Sequence, residues 1–249
     1  MRQIKVMKPE EDAAGQIMWA FYQGREVFEI WERDDGYISA SPTEPKKYFS
    51  EYEDWSTHEK RAMEFVKGKV LDIGCGACRH SLYLQKKGFN VLGIDSSPLA
   101  IKVCKLRGMK RAKVMSIEDI NFKPRSFDTI IMLGNNFSLF GSFKKAKRLL
   151  KKLHRIASRN ALIIAETRDL YKTDNPEYLE YYELNRKRNR MSGQLRGRAR
   201  FQKFASKWFD WLMVSKEEMK EILNGTGWKV KEFIDSEDSQ YVAIIEKIT

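Results

Sequence analysis

Apolar and polar positions fall into blocks along this chain, and the clearest block runs from Val70 to Asp95. The apolar run Val70-Leu71-Asp72-Ile73 predicts a buried strand, and Gly74-Cys75-Gly76-Ala77-Cys78 follows as a tight loop. Leu82 and Leu84 then lie in a helical stretch that stops at Gly88, a residue suited to a left-handed cap. Val91-Leu92-Gly93-Ile94 is a second apolar strand, ending in Asp95. Strand, glycine turn, helix, strand and acid together predict a nucleotide-binding βαβ unit. Glycine at 74 and 76 lets the backbone turn sharply and approach a ligand. The helix N-terminus offers N–H groups to a negative part of that ligand. Asp95 is placed to accept hydrogen bonds from a ribose diol.

The rest of the pattern surrounds this unit. Residues 9–23 predict an amphipathic helix that starts at Pro9 and ends at Gly24. Glu26–Trp31 and Tyr37–Ala40 flank Asp34-Asp35-Gly36, a hairpin signal. Pro42 and Pro45 break the chain, and a helix is expected from Thr57, as N-cap, to Val66. The aromatics ahead of it, Tyr48, Tyr52 and Trp55, either line a pocket or pack this segment onto the sheet. Beyond Asp95 the pattern predicts a helix over 98–106, a strand over 113–116, and a strand over 126–133 that delivers Gly134-Asn135-Asn136-Phe137. A basic amphipathic helix over 142–158 and a strand over 161–165 follow, then a helix over 215–224 and strands over 228–234 and 241–246.

Length and composition narrow the class. At 249 residues and 42% hydrophobic, one domain with insertions is expected. No apolar run approaches the roughly 18 residues that a transmembrane helix needs. The start, MRQIKVMKPEED, has no apolar signal region, and three cysteines are too few for a disulfide framework, so a cytoplasmic protein is expected. The net charge of +12 suits a polyanionic partner. It equally suits a heat-adapted (thermophilic) protein, because the chain is rich in both Lys/Arg and Glu.

The positive charge concentrates at 184–207, which carries nine Lys/Arg and no acid. Arg196, Arg198 and Arg200 fall on one face of a predicted strand, with Leu195, Ala199 and Phe201 on the other. Residues 207–212, including Trp208, read as its return strand. Guanidinium forks bind phosphates bidentately, and bases stack on aromatics such as Tyr178, Tyr181, Tyr182, Phe201, Phe204 and Trp208. A basic β-hairpin binding RNA and a solvated basic face beside a small-molecule site both fit this pattern.

Asp72, Gly74 and Gly76, with Asp95-Ser96-Ser97-Pro98 at the second strand end, resemble the first two motifs of the class I S-adenosylmethionine (SAM)-dependent methyltransferases. Cys78 stands where that pattern usually has its third glycine, and Arg79 excludes a dinucleotide fingerprint. The resemblance covers roughly 60–170 and 213–247. It implies an α/β fold: a seven-stranded, mostly parallel, doubly wound, Rossmann-like sheet. An N-terminal lid over 1–60 and a methyltransferase domain over 61–249 are expected, with a substrate cap inserted at 170–212. It implies SAM as cofactor and S-adenosylhomocysteine as product, held by Asp72, Gly74, Cys75, Gly76, Arg79, Asp95, Ser96, Ser116, Ile117, Glu118, Leu133 and Gly134. Asn135-Asn136-Phe137 is loosely similar to the motif of exocyclic-amine methyltransferases. There Asn135, with Asn136, would orient an amine and Phe137 would stack on a base; alternatively, Gly134-Asn135 only touches the methionine part of SAM.

The expected activity is therefore methyl transfer (EC 2.1.1 type) to an RNA base, with Arg196, Arg198, Arg200 and Trp208 as substrate contacts. The alternatives are a small-molecule methyltransferase acting on an anionic metabolite and a SAM-binding protein without catalysis. Neither a membrane nor an obligate protein partner is implied. Cys75, Cys78 and Cys104 with His80 resemble a zinc set only on paper, because metal in the loop would compete with SAM. No metal is expected, nor a redox role for the Cys75/Cys78 pair.

Overall fold

The computed structural model describes residues 7–248; the first six residues of the expected lid, and Thr249, lie outside it. In chain order the elements are α1 (Ala13–Tyr22), β1 (Glu29–Arg33), β2 (Ile38–Ser41), α2 (Glu44–Lys47), α3 (Thr57–Met63), β3 (Lys69–Ile73), α4 (Arg79–Lys86), β4 (Asn90–Asp95), α5 (Pro98–Leu106) and β5 (Ala112–Val114). Then come β6 (Phe127–Met132), α6 (Phe143–Ile156), β7 (Ala157–Arg168), α7 (Pro176–Lys187), β8 (Gln194–Phe201), β9 (Phe204–Ala205), β10 (Phe209–Leu212), α8 (Lys216–Leu223), β11 (Trp228–Asp235) and β12 (Gln240–Lys247).

Seven strands form one sheet in the order β11-β12-β7-β6-β3-β4-β5. β4–β5 and β6–β7 pair in parallel, whereas β12 runs antiparallel to both β7 and β11. The order reverses direction at β3, where doubly wound folds bind ligands beyond the strand ends. The expected mostly parallel sheet is therefore present. A second sheet has the order β10-β8-β1-β2, with β9 beside β8. The chain divides into two compact units that interleave in sequence. One comprises residues up to 54 with 71–120 and 196–209; the other comprises 55–70, 121–195 and 210–249.

In the first unit, α1 packs on α5, and Met18 joins a buried cluster with Ala77, Ala100 and Val103. The expected helix from Pro9 is corrected. Pro9–Glu11 is a single 3-10 turn, and the α-helix starts at Ala13 because the Asp12 side chain accepts from Gly15 N–H. Asp12 also accepts from Ser97 Oγ, so the starts of α1 and α5 share one carboxylate. The N-terminal hairpin is present as β1–β2, and β8 continues its sheet: Trp31 pairs with Ala199 and Glu32 with Arg198.

In the second unit, Ser56 rather than Thr57 occupies the N-cap position of α3. Ser142 caps α6, and Ser215 with Glu218 forms a capping box at α8. Leu170, Tyr181, Tyr182, Leu195 and Met213 make a separate buried cluster. The expectation that Tyr181 and Tyr182 serve base stacking is thus corrected: both rings are core, 1% and 4% exposed. α7, which carries them, was not predicted, since its apolar positions sit among charged residues without a clear stripe.

Candidate functional site

The first unit holds the glycine loop. Ile94 O accepts from both Gly74 N–H (2.9 Å) and Cys75 N–H (3.1 Å), which ties the loop to β4. Gly74 and Gly76 have φ of 73° and 52°, the left-handed region that excludes most side chains. Asp95, half-buried at the end of β4, accepts from Gly76 N–H at 3.0 Å with one carboxylate oxygen and from Ser97 N–H at 2.9 Å with the other. Burial raises the Asp95 pKa, and the backbone donors oppose that shift. A carboxylate oxygen has lone pairs to spare, so a diol at Asp95 remains compatible with these bonds.

The other residues expected around a cofactor divide in two groups. Asp72 turns inward: it is 2% exposed and accepts from Ser81 Oγ of α4 at 2.6 Å. Burial pushes its pKa up to about 7, and the Asp95 charge adds to this against the Ser81 bond and Arg79. Arg79 donates to Ser50 Oγ at 3.3 Å. Ser96 is exposed next to Asp95. Ser116 caps the 3-10 turn Ile117–Asp119 by accepting from Glu118 N–H; Ile117 is buried and Glu118 exposed. Tyr48 comes beside the loop: a Cβ on Gly76 would lie 3.6 Å from its ring and 3.8 Å from Met18 Sδ. Tyr52 stacks on Tyr83 of α4 at 4.5 Å, and Trp55 is buried core.

The cysteines differ from expectation. Cys78, the residue in the third-glycine position, adopts φ 65° and forms a disulfide with Cys104 of α5. The partner of Cys78 is therefore Cys104, not Cys75, which stays a buried free thiol with its pKa pushed up by burial. The three sulfurs lie within 4.8 Å of one another, and among the described residues His80 is not part of that group. Gly93 makes room for them, since a Cβ there would meet Cys75 Sγ at 3.1 Å.

The arginine strand β8 shows the predicted alternation. Leu195, Gly197 and Ala199 are buried, whereas Arg196, Arg198 and Arg200 face outward. Its charge is partly neutralised by a residue of β1. Glu32 takes a bidentate bond from Arg198 (2.9 and 3.1 Å) and another from Arg200 (3.0 Å). These bonds, with Arg198 first, lower the Glu32 pKa against desolvation. The Arg198 guanidinium also lies 4.6 Å over the Trp208 ring. Phe201 packs on Ile17, Ala20 and Val27, so it too is absorbed by packing.

In the second unit, β6 ends at Met132, buried Leu133 follows, and Gly134 and Asn135 take consecutive left-handed conformations (φ 69° and 62°). Asn135 Oδ1 accepts from Ser138 Oγ, and Asn136 opens a 3-10 turn. The stacking role expected for Phe137 is corrected: its ring is fully buried, edge-on to Phe140 at 5.0 Å, and is not offered to an acceptor. Two residues here escaped sequence reasoning. Glu166, near the end of β7, accepts from the N–H groups of Gly134 and Asn135, and His58 Nε2 lies 3.0 Å from its other oxygen. No local spacing signals a contact 108 residues apart, although Glu166 stood at a strand end. Among the described residues, no helix is long and apolar enough to cross a membrane.

The chain is similar to known methyltransferases. Residues 71–165 match the model of a methyltransferase domain. The chain is 33% identical over 101 residues to a tRNA (uracil(54)-C(5))-methyltransferase of Pyrococcus horikoshii, covering 39% of this chain and 23% of that protein. It is 34% identical over 74 residues to a ubiquinone biosynthesis O-methyltransferase of Xanthomonas euvesicatoria, covering 27% and 31%. These curated relatives are thus matched over less than a third of their own length. A SAM-dependent methyltransferase from Bacteroides fragilis, solved with S-adenosylhomocysteine, shares the fold over 98% of both chains at a TM-score of 0.84 and 24% identity.

Proposed function

We infer that this chain is a class I SAM-dependent methyltransferase, which binds SAM and transfers the sulfonium methyl group to an acceptor; the methyltransferase-domain match over 71–165 and the shared fold support this reading. The observation that carries this reading is Asp95, which joins the glycine loop to the start of α5 through Gly76 N–H and Ser97 N–H. The residues present fit SAM: left-handed glycines keep side chains out of the loop, and a half-exposed carboxylate ends the next strand. Asp95 would hold the ribose and the Ser116–Glu118 turn the adenine. Gly74–Gly76 would lie along the methionine part.

Bound SAM supplies an activated methyl group. The acceptor lone pair forms the new bond to that carbon as the S–CH₃ bond breaks, leaving S-adenosylhomocysteine. The protein aligns the acceptor and excludes water, so no nucleophile or metal set is required. By its loose likeness to exocyclic-amine methyltransferases, the Asn135-Asn136-Phe137 stretch would bring Asn135 to orient an amine acceptor.

For the acceptor itself, a small molecule is the stronger reading. The features that suggested RNA are largely used within the fold: Glu32 holds Arg198 and Arg200, and Tyr181, Tyr182 and Phe201 pack inside. RNA is the second reading, favoured by the Arg198–Trp208 stack, the net charge of +12 and the tRNA-modifying relative. The test offers labelled SAM with RNA and, separately, with a small-molecule extract, both from cells lacking the protein. Label in the small-molecule fraction is the expected result. Label in one RNA nucleoside would promote the second reading. No label in either, with SAM bound, would leave a SAM-binding protein without catalysis.

A further inference from the structure

The second unit contains a buried histidine–carboxylate pair that the reading above does not use. The side chains of His58 and Glu166 are 5% and 4% exposed. Charges so deep are costly unless each is paired and hydrogen-bonded, and breaking such a pair is strongly destabilising. Here the pair ends on something particular. One oxygen of Glu166 faces His58 Nε2; the other accepts from the N–H groups of Gly134 and Asn135. Those residues are the consecutive left-handed positions after β6. A non-glycine residue such as Asn135 holds that conformation at a cost, and converging N–H groups on an anion offset it.

We propose that Glu166 is a positioning residue: it fixes the Gly134–Asn135 turn for ligand binding, and His58 holds the carboxylate in the orientation this requires. This rests on the reading of that turn as part of a SAM site. Several groups act on His58. Ser56 Oγ lies at 3.4 Å and Glu59 is on the same helix; Glu166 faces it from β7, and Asp238 acts from the loop before β12. Burial opposes protonation of His58, but Glu166 first, then Glu59 and Asp238, raise its pKa overall. The wild-type pair survives either state, because the ring donates Nε2–H to a carboxylate whether it is protonated or is the neutral Nε2–H tautomer.

An amide in place of the carboxylate breaks that tolerance. In Glu166→Gln the amide oxygen can serve the turn only while its NH₂ donates to an unprotonated Nε2. Protonated His58 is a donor, so it draws the amide oxygen to itself and turns the NH₂ toward two N–H groups.

The experiment measures S-adenosylhomocysteine affinity by calorimetry at pH 5 and pH 8, with the amide-proton shifts of Gly134 and Asn135 by NMR. Each variant is compared with wild type at the same pH, because Asp72 also titrates between these values. Glu166→Gln is expected near wild type at pH 8 and about 10-fold weaker at pH 5, with both amide protons moving in the same step. The double variant H58Q/E166Q is expected to lose the pH step. A Glu166→Gln protein that matches wild type in affinity and amide shifts at both pH values would overturn the proposal, as would a step that persists without His58. If wild type binds no S-adenosylhomocysteine, the SAM reading fails with the ligand role. The amide shifts then still report whether Glu166 and His58 hold the turn.

Discussion

The glycine loop and the arginine strand both gather polar groups in the first unit, but they use them in opposite ways. At the loop, each carboxylate is aimed at particular donors. Asp95 meets Gly76 and Ser97 N–H, and Asp72 meets Ser81 Oγ with only 2% exposure. On β8, Arg198 and Arg200, with side chains 28% and 44% exposed, share the carboxylate of Glu32, which is 16% exposed. Buried polar groups must be satisfied, so their geometry is specific and their loss is felt. Exposed ion pairs compete with water and salt, so they contribute little and can be exchanged for a ligand's charges. Chemistry that depends on placement belongs at the loop, whereas the arginine strand tunes attraction.

Four changes test this contrast, in decreasing order of effect. Asp95→Ala removes the acceptor of two backbone N–H groups, so S-adenosylhomocysteine affinity is expected to fall by about 100-fold, on the scale of charged hydrogen bonds. Affinity within a factor of three of wild type would erase the distinction between the regions.

The loop is also covalently fastened. Removing the Cys78–Cys104 bond by Cys104→Ala is expected to cost roughly 2–4 kcal/mol of stability, read as a lower melting temperature. Thiol titration of the unfolded, unreduced protein should find one free cysteine, Cys75, and three after reduction. Three without reduction would remove the staple from the account.

The third test is pH. Asp72 is pushed up to about 7 from an ordinary value of 3.8, so between those values the folded state holds a proton that the unfolded chain has released. Its contribution to stability is complete below 3.8 and is lost as pH rises through 7. Wild type should therefore lose melting temperature between pH 5 and pH 8, and Asp72→Asn should flatten part of that slope. Parallel slopes in the two proteins would mean that Asp72 does not titrate there.

The smallest effect is expected at the surface. Glu32→Gln should shift the melting temperature by roughly 1–2 °C or less, in keeping with the small worth of exposed ion pairs. It frees two guanidinium groups, so RNA retention at low salt should rise modestly and vanish at high salt. Strong, salt-resistant retention that disappears on replacing Arg196, Arg198 and Arg200 would instead make the strand a specific site.

What was legible in the sequence follows the same division. Local patterns gave β3, the glycine loop, α4 and β4, because strand, turn and helix signals there lie within a few residues of one another. The alternation of β8 was equally plain. The misses are contacts between distant stretches: Asp12 with Ser97, Cys78 with Cys104, and His58 with Glu166. Phe137 was misread for a related reason. An aromatic after a strand looks available in sequence, and only packing against Phe140 shows that it is core. The N-terminal hairpin and the basic strand were each foreseen, but nothing local announced that β1 and β8 share an edge.

That shared edge bears on the order in which the molecule assembles. Glu32 and Arg198 are 166 residues apart, so β1 emerges from the ribosome long before its neighbour exists. Until then one side of the β1–β2 hairpin has no strand beside it, and a two-stranded hairpin alone is at best marginally stable in water. Closing so long a loop makes the pairing late and slow compared with local elements. The second sheet therefore forms late, and a chain truncated before Gln194 would leave β1 as an open edge for another chain to join.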